Sequence, residues 1–291
     1  MALLNDPLIT DAVAWTLLRQ LLKTPNLEPN TPPAVHHNRN PDVWLQVFPS
    51  GGWKSSSQPT DTARELLDLY APLAIGSSLT IAQLGQSLDG RIATPNGHSH
   101  YITGPDDIRR VHRLRALVDA VIVGSRTVEL DDPQLTVREV DGQNPTRVVI
   151  DPHTRLKRDR RIFTDGAATT LLVVGKESAS GSEAADSDRI VCKPNTSGQL
   201  APRDILRALD KRGLRRVLIE GGGTTISHFI DSGAVDRLHV SVAPMLIGSG
   251  QSAFSLAPIT SLKQALRPPC RTFHLGKDVL FDLCLTATNK D

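Results

Sequence analysis

The chain has 291 residues, a net charge of +2 and only 4% aromatic residues, so it offers neither a global basic field nor stacking platforms for nucleic acid. No apolar run approaches the roughly 18 residues of a membrane span, and residues 1–10 lack the basic start and cleavage pattern of a leader peptide. Cys192, Cys270 and Cys284 are far apart and form no CxxC pair, which argues against a disulfide framework or a zinc site and for a reduced, cytoplasmic setting.

Residues 1–75 differ from the rest. Residues 7–23 carry Leu8, Val13, Trp15, Leu17, Leu18, Leu21 and Leu22 at helical spacing. Residues 24–41 are rich in proline and asparagine and read as a loop or linker. Residues 43–48 look like a strand, and Thr60-Asp61 can cap a helix running to about Tyr70. His36 and His37 stand together without a nearby second ligand pair, so they are not expected to be metal ligands. One amphipathic helix and one strand are too few to bury a core alone. All three tryptophans, Trp15, Trp44 and Trp53, lie in this segment. It is therefore expected to pack on the remainder of the chain through them.

From Leu79 onward strands alternate with helices. Strands are predicted at 79–84, 120–124, 146–151, 171–175 and 237–243, and helices at 105–117 and 202–212, the second ended by Gly213. Ile108, Val111, Leu114 and Leu117 are expected to form the apolar face of the 105–117 helix. Residues 176–188 read as a polar loop and 273–286 as a closing hairpin. Such alternation implies an α/β domain with a mostly parallel sheet, where ligands sit at the carboxyl ends of strands.

The most informative stretch runs from Arg215 to Thr225: an apolar strand, Glu220, three glycines, then hydroxyls opening a helix. Bare backbone at a helix start suits a phosphate, although a plain tight turn would need the same glycines. Ser87-Leu88-Asp89-Gly90 is equally readable as a turn or as a ligand-facing loop. Gly124-Ser125-Arg126-Thr127 supplies small hydroxyl donors after a buried strand, and Asp131-Asp132-Pro133 reads as a turn more readily than as a metal site. Arg115 and Arg138 are candidate ligands for an anionic substrate, although a solvated or salt-bridged surface arginine is the commoner reading for each. The basic loop carrying Arg155, Lys157, Arg158, Arg160 and Arg161 could hold the 2′-phosphate of NADP or simply face solvent.

These motifs, with Tyr101-Ile102-Thr103-Gly104, Asp131 through Arg138 and Ala243 through Gly248, together resemble the reductase domain of bacterial riboflavin biosynthesis, over about residues 79–285 and in the same order. The resemblance implies a dihydrofolate-reductase-like, three-layer α/β fold for residues 76–291, with residues 1–75 as a small N-terminal extension. It implies that Ser99, Arg115, Leu135, Arg138 and Glu220 contact substrate. Tyr101, Thr127, Asp131 and the turn Gly222, Gly223, Thr224, Thr225 and Ile226 would contact NADPH. Glu220 would orient polar groups of the substrate and assist proton transfer. Two positions depart from the family pattern: Tyr101 where tryptophan is frequent, and Pro152 in place of a serine after Asp151. The zinc-deaminase motifs that usually accompany this domain are absent from residues 1–75, so deamination is not expected.

The activity implied is NADPH-dependent reduction of a ribosylamino-pyrimidine 5′-phosphate to its ribitylamino product, by a homodimer without metal, nucleic acid or membrane. Dimer contacts are expected from residues 240–247 and 273–285. A superfamily reductase for another pterin or pyrimidine, and a non-catalytic nucleotide-binding protein, remain open from sequence.

Overall fold

A computed structural model describes residues 9–24, 34–176, 188–196 and 198–288. The chain divides into two compact units, the first running to Leu79 and the second starting at Thr80.

In the first unit, helices α1 (Asp11–Leu21) and α2 (Asp61–Ala74) accompany a three-stranded antiparallel sheet of β1 (Ala34–His37), β2 (Asn40–Val47) and β3 (Trp53–Ser55). Both helices start at a threonine: Thr10 accepts from the Val13 N–H at 3.5 Å and Thr60 from Ala63 at 3.2 Å. Strand alternation turns Val35, Val43, Leu45 and Val47 inward. The helices contact each other, α1 reaches β1 and β2, and α2 reaches β3.

The three-stranded sheet is richer than the single strand expected, and the unit has a core of its own. The Trp15 ring meets Tyr70 edge-on at 5.8 Å between centroids, and the Trp53 indole N–H donates to Asp68 at 2.7 Å. Both tryptophans are thus engaged within the unit. Part of the proline-rich stretch pairs as β1 and the start of β2; residues 25–33 lie outside the described residues. His36 Nδ1 lies 2.7 Å from the Pro41 carbonyl. Among the described residues no group of three or more His, Cys, Asp or Glu side chains could hold a metal.

The second unit begins with β4 (Leu79–Ser87), β5 (Arg91–Ala93), α3 (Pro105–Ala116), β6 (Ala120–Gly124), α4 (Ser125–Asp131), β7 (Thr146–Ile150) and α5 (Arg161–Thr164). It continues with β8 (Thr170–Gly175), β9 (Arg189–Cys192), α6 (Pro202–Asp210), β10 (Arg216–Glu220), α7 (Gly223–Asp231) and β11 (Arg237–Ala243). It ends with β12 (Gln251–Ser252), β13 (Cys270–Leu275) and β14 (Asp278–Cys284).

Nine strands form one sheet in the order β13-β14-β11-β4-β10-β6-β7-β8-β9. From β10 to β9 every neighbouring pair is parallel, as are β11 and β4, while β14 runs antiparallel to both β11 and β13. This is the mostly parallel α/β sheet, of dihydrofolate-reductase-like arrangement, that the sequence implied. The central strands are covered on both faces and read as continuous apolar runs, Val217-Leu218-Ile219 and Val121-Ile122-Val123 among them. Gly213, at φ +78°, ends α6 in the left-handed conformation that glycine adopts without a Cβ penalty.

Several elements differ from expectation. Asp131 lies on the short helix α4, whose end is fixed by Asp132 at φ +40°, so the segment read as a turn is a helix and its cap. β11 is an interior strand and not an edge; the edge on that side is β13. Most of the expected 176–188 loop, residues 177–187, lies outside the described residues. No helix among the described residues is long and apolar enough to cross a membrane.

Candidate active site

A cleft of about 860 Å³ opens over the carboxyl ends of β6 and β10, and every residue lining it lies between Leu84 and Ser255. Strand β10 delivers Glu220 at its last position, and α3 delivers Arg115 in its last turn. The Arg115 guanidinium grips the Glu220 carboxylate in a two-point fork, Nε to Oε1 and Nη2 to Oε2, both at 2.7 Å. Its Nη1 donates to the Thr136 carbonyl at 3.0 Å. Both side chains are nearly buried, so this pair holds tightly where water cannot compete.

One turn earlier on α3, His112 is 1% exposed, and its Nδ1 accepts the Arg138 main-chain N–H at 3.1 Å. That bond makes Nδ1 the unprotonated nitrogen. Burial, then the Arg115 and Arg138 charges, push the imidazole down to about 4, so His112 is neutral at pH 7. The Arg138 side chain is partly exposed to the cleft, with Nη1 at 3.5 Å from the Thr136 hydroxyl. Between them Leu135 holds φ +53°, a conformation uncommon for a side chain of this size. It is kept there while buried in the cleft wall.

The other wall is backbone. Helix α7 starts at Gly222 with no side chain capping it, which leaves first-turn N–H groups open toward the cleft. The Gly222 N–H itself donates to the Thr127 hydroxyl at 3.1 Å. A Cβ on Gly222 would meet only that hydroxyl, at 3.6 Å, so its open side is bare. Gly223 is different: a Cβ there would lie 2.3 Å from the Ala253 carbonyl oxygen. The loop packed against it by itself requires glycine there. A nucleotide phosphate fits this wall, with Gly222, Thr224, Thr225 and Thr127 as the residues that would hold it.

Of the residues singled out in sequence, Ser99, Tyr101, Arg115, Thr127, Asp131, Leu135, Arg138, Glu220 and Gly222 through Thr225 all line the cleft. Ser99 and Asp131, expected to meet different ligands, bond each other at 3.3 Å. Ile226 does not line the cleft; its side chain is fully buried in the hydrophobic core beneath α7. From the basic loop only Arg161 reaches the wall, joined there by Arg126. Arg158 instead stacks over Phe163 at 4.6 Å, and Asp151 is buried and accepts the Leu156 N–H at 2.9 Å. Asp89 does not line the cleft. It accepts from the Ser87 hydroxyl and from the Gly248 and Ile247 N–H groups, which hold it down at about 2. In this structure the Ser87–Gly90 motif forms a turn held by these bonds.

Sequence reasoning missed His112 and Asp107. Asp107 lies at the back of the cleft, bonded to Arg110 at 2.6 Å and to the Ser241 hydroxyl. Burial pushes its carboxyl up, yet Arg110 and Ser241 outweigh this and hold it below the usual range. Arg110 continues to His239 at 3.2 Å and to Gln83 at 2.9 Å. The available signal was the density of charge on α3, with Asp106, Asp107, Arg109, Arg110, His112, Arg113 and Arg115 in twelve residues. Of the expected apolar face, Leu114 and Leu117 enter the core, whereas Ile108 and Val111 line the cleft.

Residues 79–280 match the family model described as RibD C-terminal domain. Among known proteins, a 2,5-diamino-6-ribosylamino-4(3H)-pyrimidinone 5′-phosphate reductase of Methanothermobacter thermautotrophicus is 36% identical over 210 residues, covering 69% of this chain and 95% of that protein. Riboflavin biosynthesis protein RibD of Aquifex aeolicus is 30% identical over 223 residues, covering 76% of this chain and 62% of that protein. Among solved structures, Acinetobacter baumannii RibD superposes with a TM-score of 0.61 at 28% identity, covering 78% of this chain and 65% of that one. The chain thus spans less than two thirds of the length of these two RibD proteins.

Proposed function

This chain belongs to the RibD C-terminal domain family, and from that premise we propose that it reduces a ribosylamino-pyrimidine 5′-phosphate to the ribitylamino product, using NADPH. The observation that carries the reading is the pairing of two anion-receptive features in one cleft: the open guanidinium of Arg138 and the uncapped start of α7. The first suits a substrate phosphate and the second a cofactor phosphate. Arg126 and Arg161, both exposed and both lining the cleft, support NADPH over NADH, since only NADPH brings a further phosphate.

The nicotinamide cofactor, when bound, supplies the hydride. The protein's own part is orientation. Leu135 and the Thr136–Arg138 segment, pinned from α3 by His112 and Arg115, hold the phosphate end of the substrate. Glu220, gripped at both oxygens by Arg115, accepts hydrogen bonds from the polar groups of the substrate. So paired, it serves better as an acceptor that orients than as the proton donor. Ser99 and Asp131, which also line the cleft, contribute polar contacts.

Within this substrate class, the name of the Methanothermobacter relative favours the 2,5-diamino pyrimidinone over the aminouracil. The assay that tests the reading is decay of NADPH absorbance with each compound, and with NADH in parallel. Oxidation of NADPH by either compound supports it; no decay with both overturns it, and equal use of NADH overturns the cofactor assignment.

The enzyme is further proposed to be cytoplasmic and a homodimer. The apolar side chains exposed along residues 245–266, Leu246, Ile259, Leu262 and Leu266 among them, and the open edge of β13 offer the surface. A monomer mass by light scattering at micromolar concentration would contradict the dimer.

A further inference from the structure

The cleft holds an anion that neither phosphate can use. Asp107, in the first turn of α3, lines the cleft with its side chain only 3% exposed. Its Oδ1 accepts the Arg110 Nε–H at 2.6 Å and the Ser241 hydroxyl, and the Thr103 hydroxyl also bonds the carboxylate. Arg110 and these hydroxyls keep it ionised against its burial, so it can only accept. A carboxylate has about four acceptor places, and three donors leave one open. Ile108 and Val111 of α3 line the same face, with Leu84 of β4. Gly85 stands in register with Ser241, and a Cβ on it would lie 2.7 Å from the Thr103 methyl, so this corner is closed around the carboxylate. Apolar side chains beside a buried acceptor suit a flat heterocycle that brings an N–H donor.

Asp107 stands eight residues before Arg115 on α3, a rise of about 12 Å at about 1.5 Å per residue. An extended ribosylamino-pyrimidine 5′-phosphate also measures about 12 Å from phosphorus to the far edge of its ring, by ordinary bond lengths. His112 and Arg115 tie the Thr136–Arg138 segment to the last turns of α3. With the phosphate at Arg138, the far edge of the ring therefore reaches Asp107. That edge carries N3–H and the C2 substituent, and the two candidate substrates differ only at C2. A 2-amino group donates to the carboxylate. A 2-oxo group turns a lone pair toward a buried anion and leaves both unpaired. Resting on the reading of the cleft given above, we infer that Asp107 determines specificity by selecting the 2-amino pyrimidinone over the 2-oxo compound.

The two phosphorylated compounds, assayed with wild type and Asp107→Asn, test this. Wild type should favour the 2-amino compound in kcat/KM by about tenfold or more. Asp107→Asn can donate as well as accept, and should bring that ratio near one by losing on the first compound and gaining on the second. An equal loss on both would make Asp107 only the counter-charge of Arg110 and overturn the inference, as would a wild type that does not discriminate. If Asp107→Asn does not fold with Arg110 left uncompensated, Asp107→Asn combined with Arg110→Gln removes both charges and decides by the same ratio.

Calorimetry with 2,5,6-triamino-4(3H)-pyrimidinone and 5,6-diaminouracil needs neither turnover nor phosphate. Tighter binding of the triamino compound by wild type, with the difference lost in the variant, supports the assignment. Equal affinity, or measurable binding of neither, overturns it. Absence of turnover with both phosphorylated compounds would count against the proposed reaction, while the calorimetric arm would still decide the role of Asp107.

Discussion

On the α3 side of the cleft, charged side chains hold one another. Arg115 forks onto Glu220, His112 accepts the Arg138 N–H, and Asp107 and Arg110 lock behind them. On the α7 side the chain presents little but backbone: Gly222 without a Cβ, a helix start without a cap, and two threonine hydroxyls. The first wall is rigid because each member would be costly to leave unpaired. The second tolerates change at its surface because few contacts depend on it. The paired members of the first wall therefore couple recognition to stability, whereas Arg138 and the second wall separate them.

The largest test of that contrast is Glu220→Ala. It leaves the nearly buried Arg115 guanidinium without its carboxylate, and the expected cost is about 3–5 kcal/mol of stability, together with loss of turnover. Urea unfolding and the NADPH assay on one sample check both. A folded variant with unchanged unfolding midpoint would show that the pair does not hold the wall.

Arg138→Ala breaks recognition on the same wall with little loss of fold, because the bond to His112 uses the main chain. The expected loss in kcat/KM is about 1.5–3 kcal/mol, carried by KM, with NADPH affinity spared. Weakened NADPH binding with a normal substrate KM would place this arginine at the wrong ligand.

His112 gives the wall a pH dependence. Its folded-state value, about 4, lies below the ordinary 6.5, so between these values the unfolded chain binds a proton that the folded chain refuses. Stability is thus full above about pH 6.5 and falls as the pH drops toward 4. His112→Asn, which keeps an acceptor for the Arg138 N–H but cannot titrate, should lose about 1–2 kcal/mol less than wild type between pH 7 and pH 5. His239, also held neutral by burial, contributes alike in both proteins, so the difference isolates His112. Identical pH slopes for the two proteins would remove His112 from this role.

The smallest expected change in stability is on the other wall. Gly222→Val should shift stability by no more than about 0.5–1 kcal/mol, since its Cβ has room and its φ of −62° suits any residue. The same substitution should weaken NADPH binding by blocking approach to the backbone. Unchanged affinity in the folded variant would make this turn purely structural.

Local pattern determined a good part of the molecule from the sequence. The apolar runs of β6, β7 and β10, the proline start and glycine stop of α6, and the threonine cap of α2 depend on neighbours a few residues away, and the structure reproduces them. The order of motifs likewise pointed to the family and gathered the cleft residues from Ser99 to Thr225. What only the tertiary structure decided is who pairs with whom. Arg115 and Glu220 are 105 residues apart, so no spacing rule could join them or reveal that one arginine is spent on a carboxylate while the other is open. The buried charges of α3 belong to the same class: helical periodicity assigns such residues to solvent, and only partners arriving from β4, β11 and the 135–138 segment make their burial affordable. Gly223 shows the limit from the other direction, because the backbone at Ala253, distant in sequence, already requires it to be glycine.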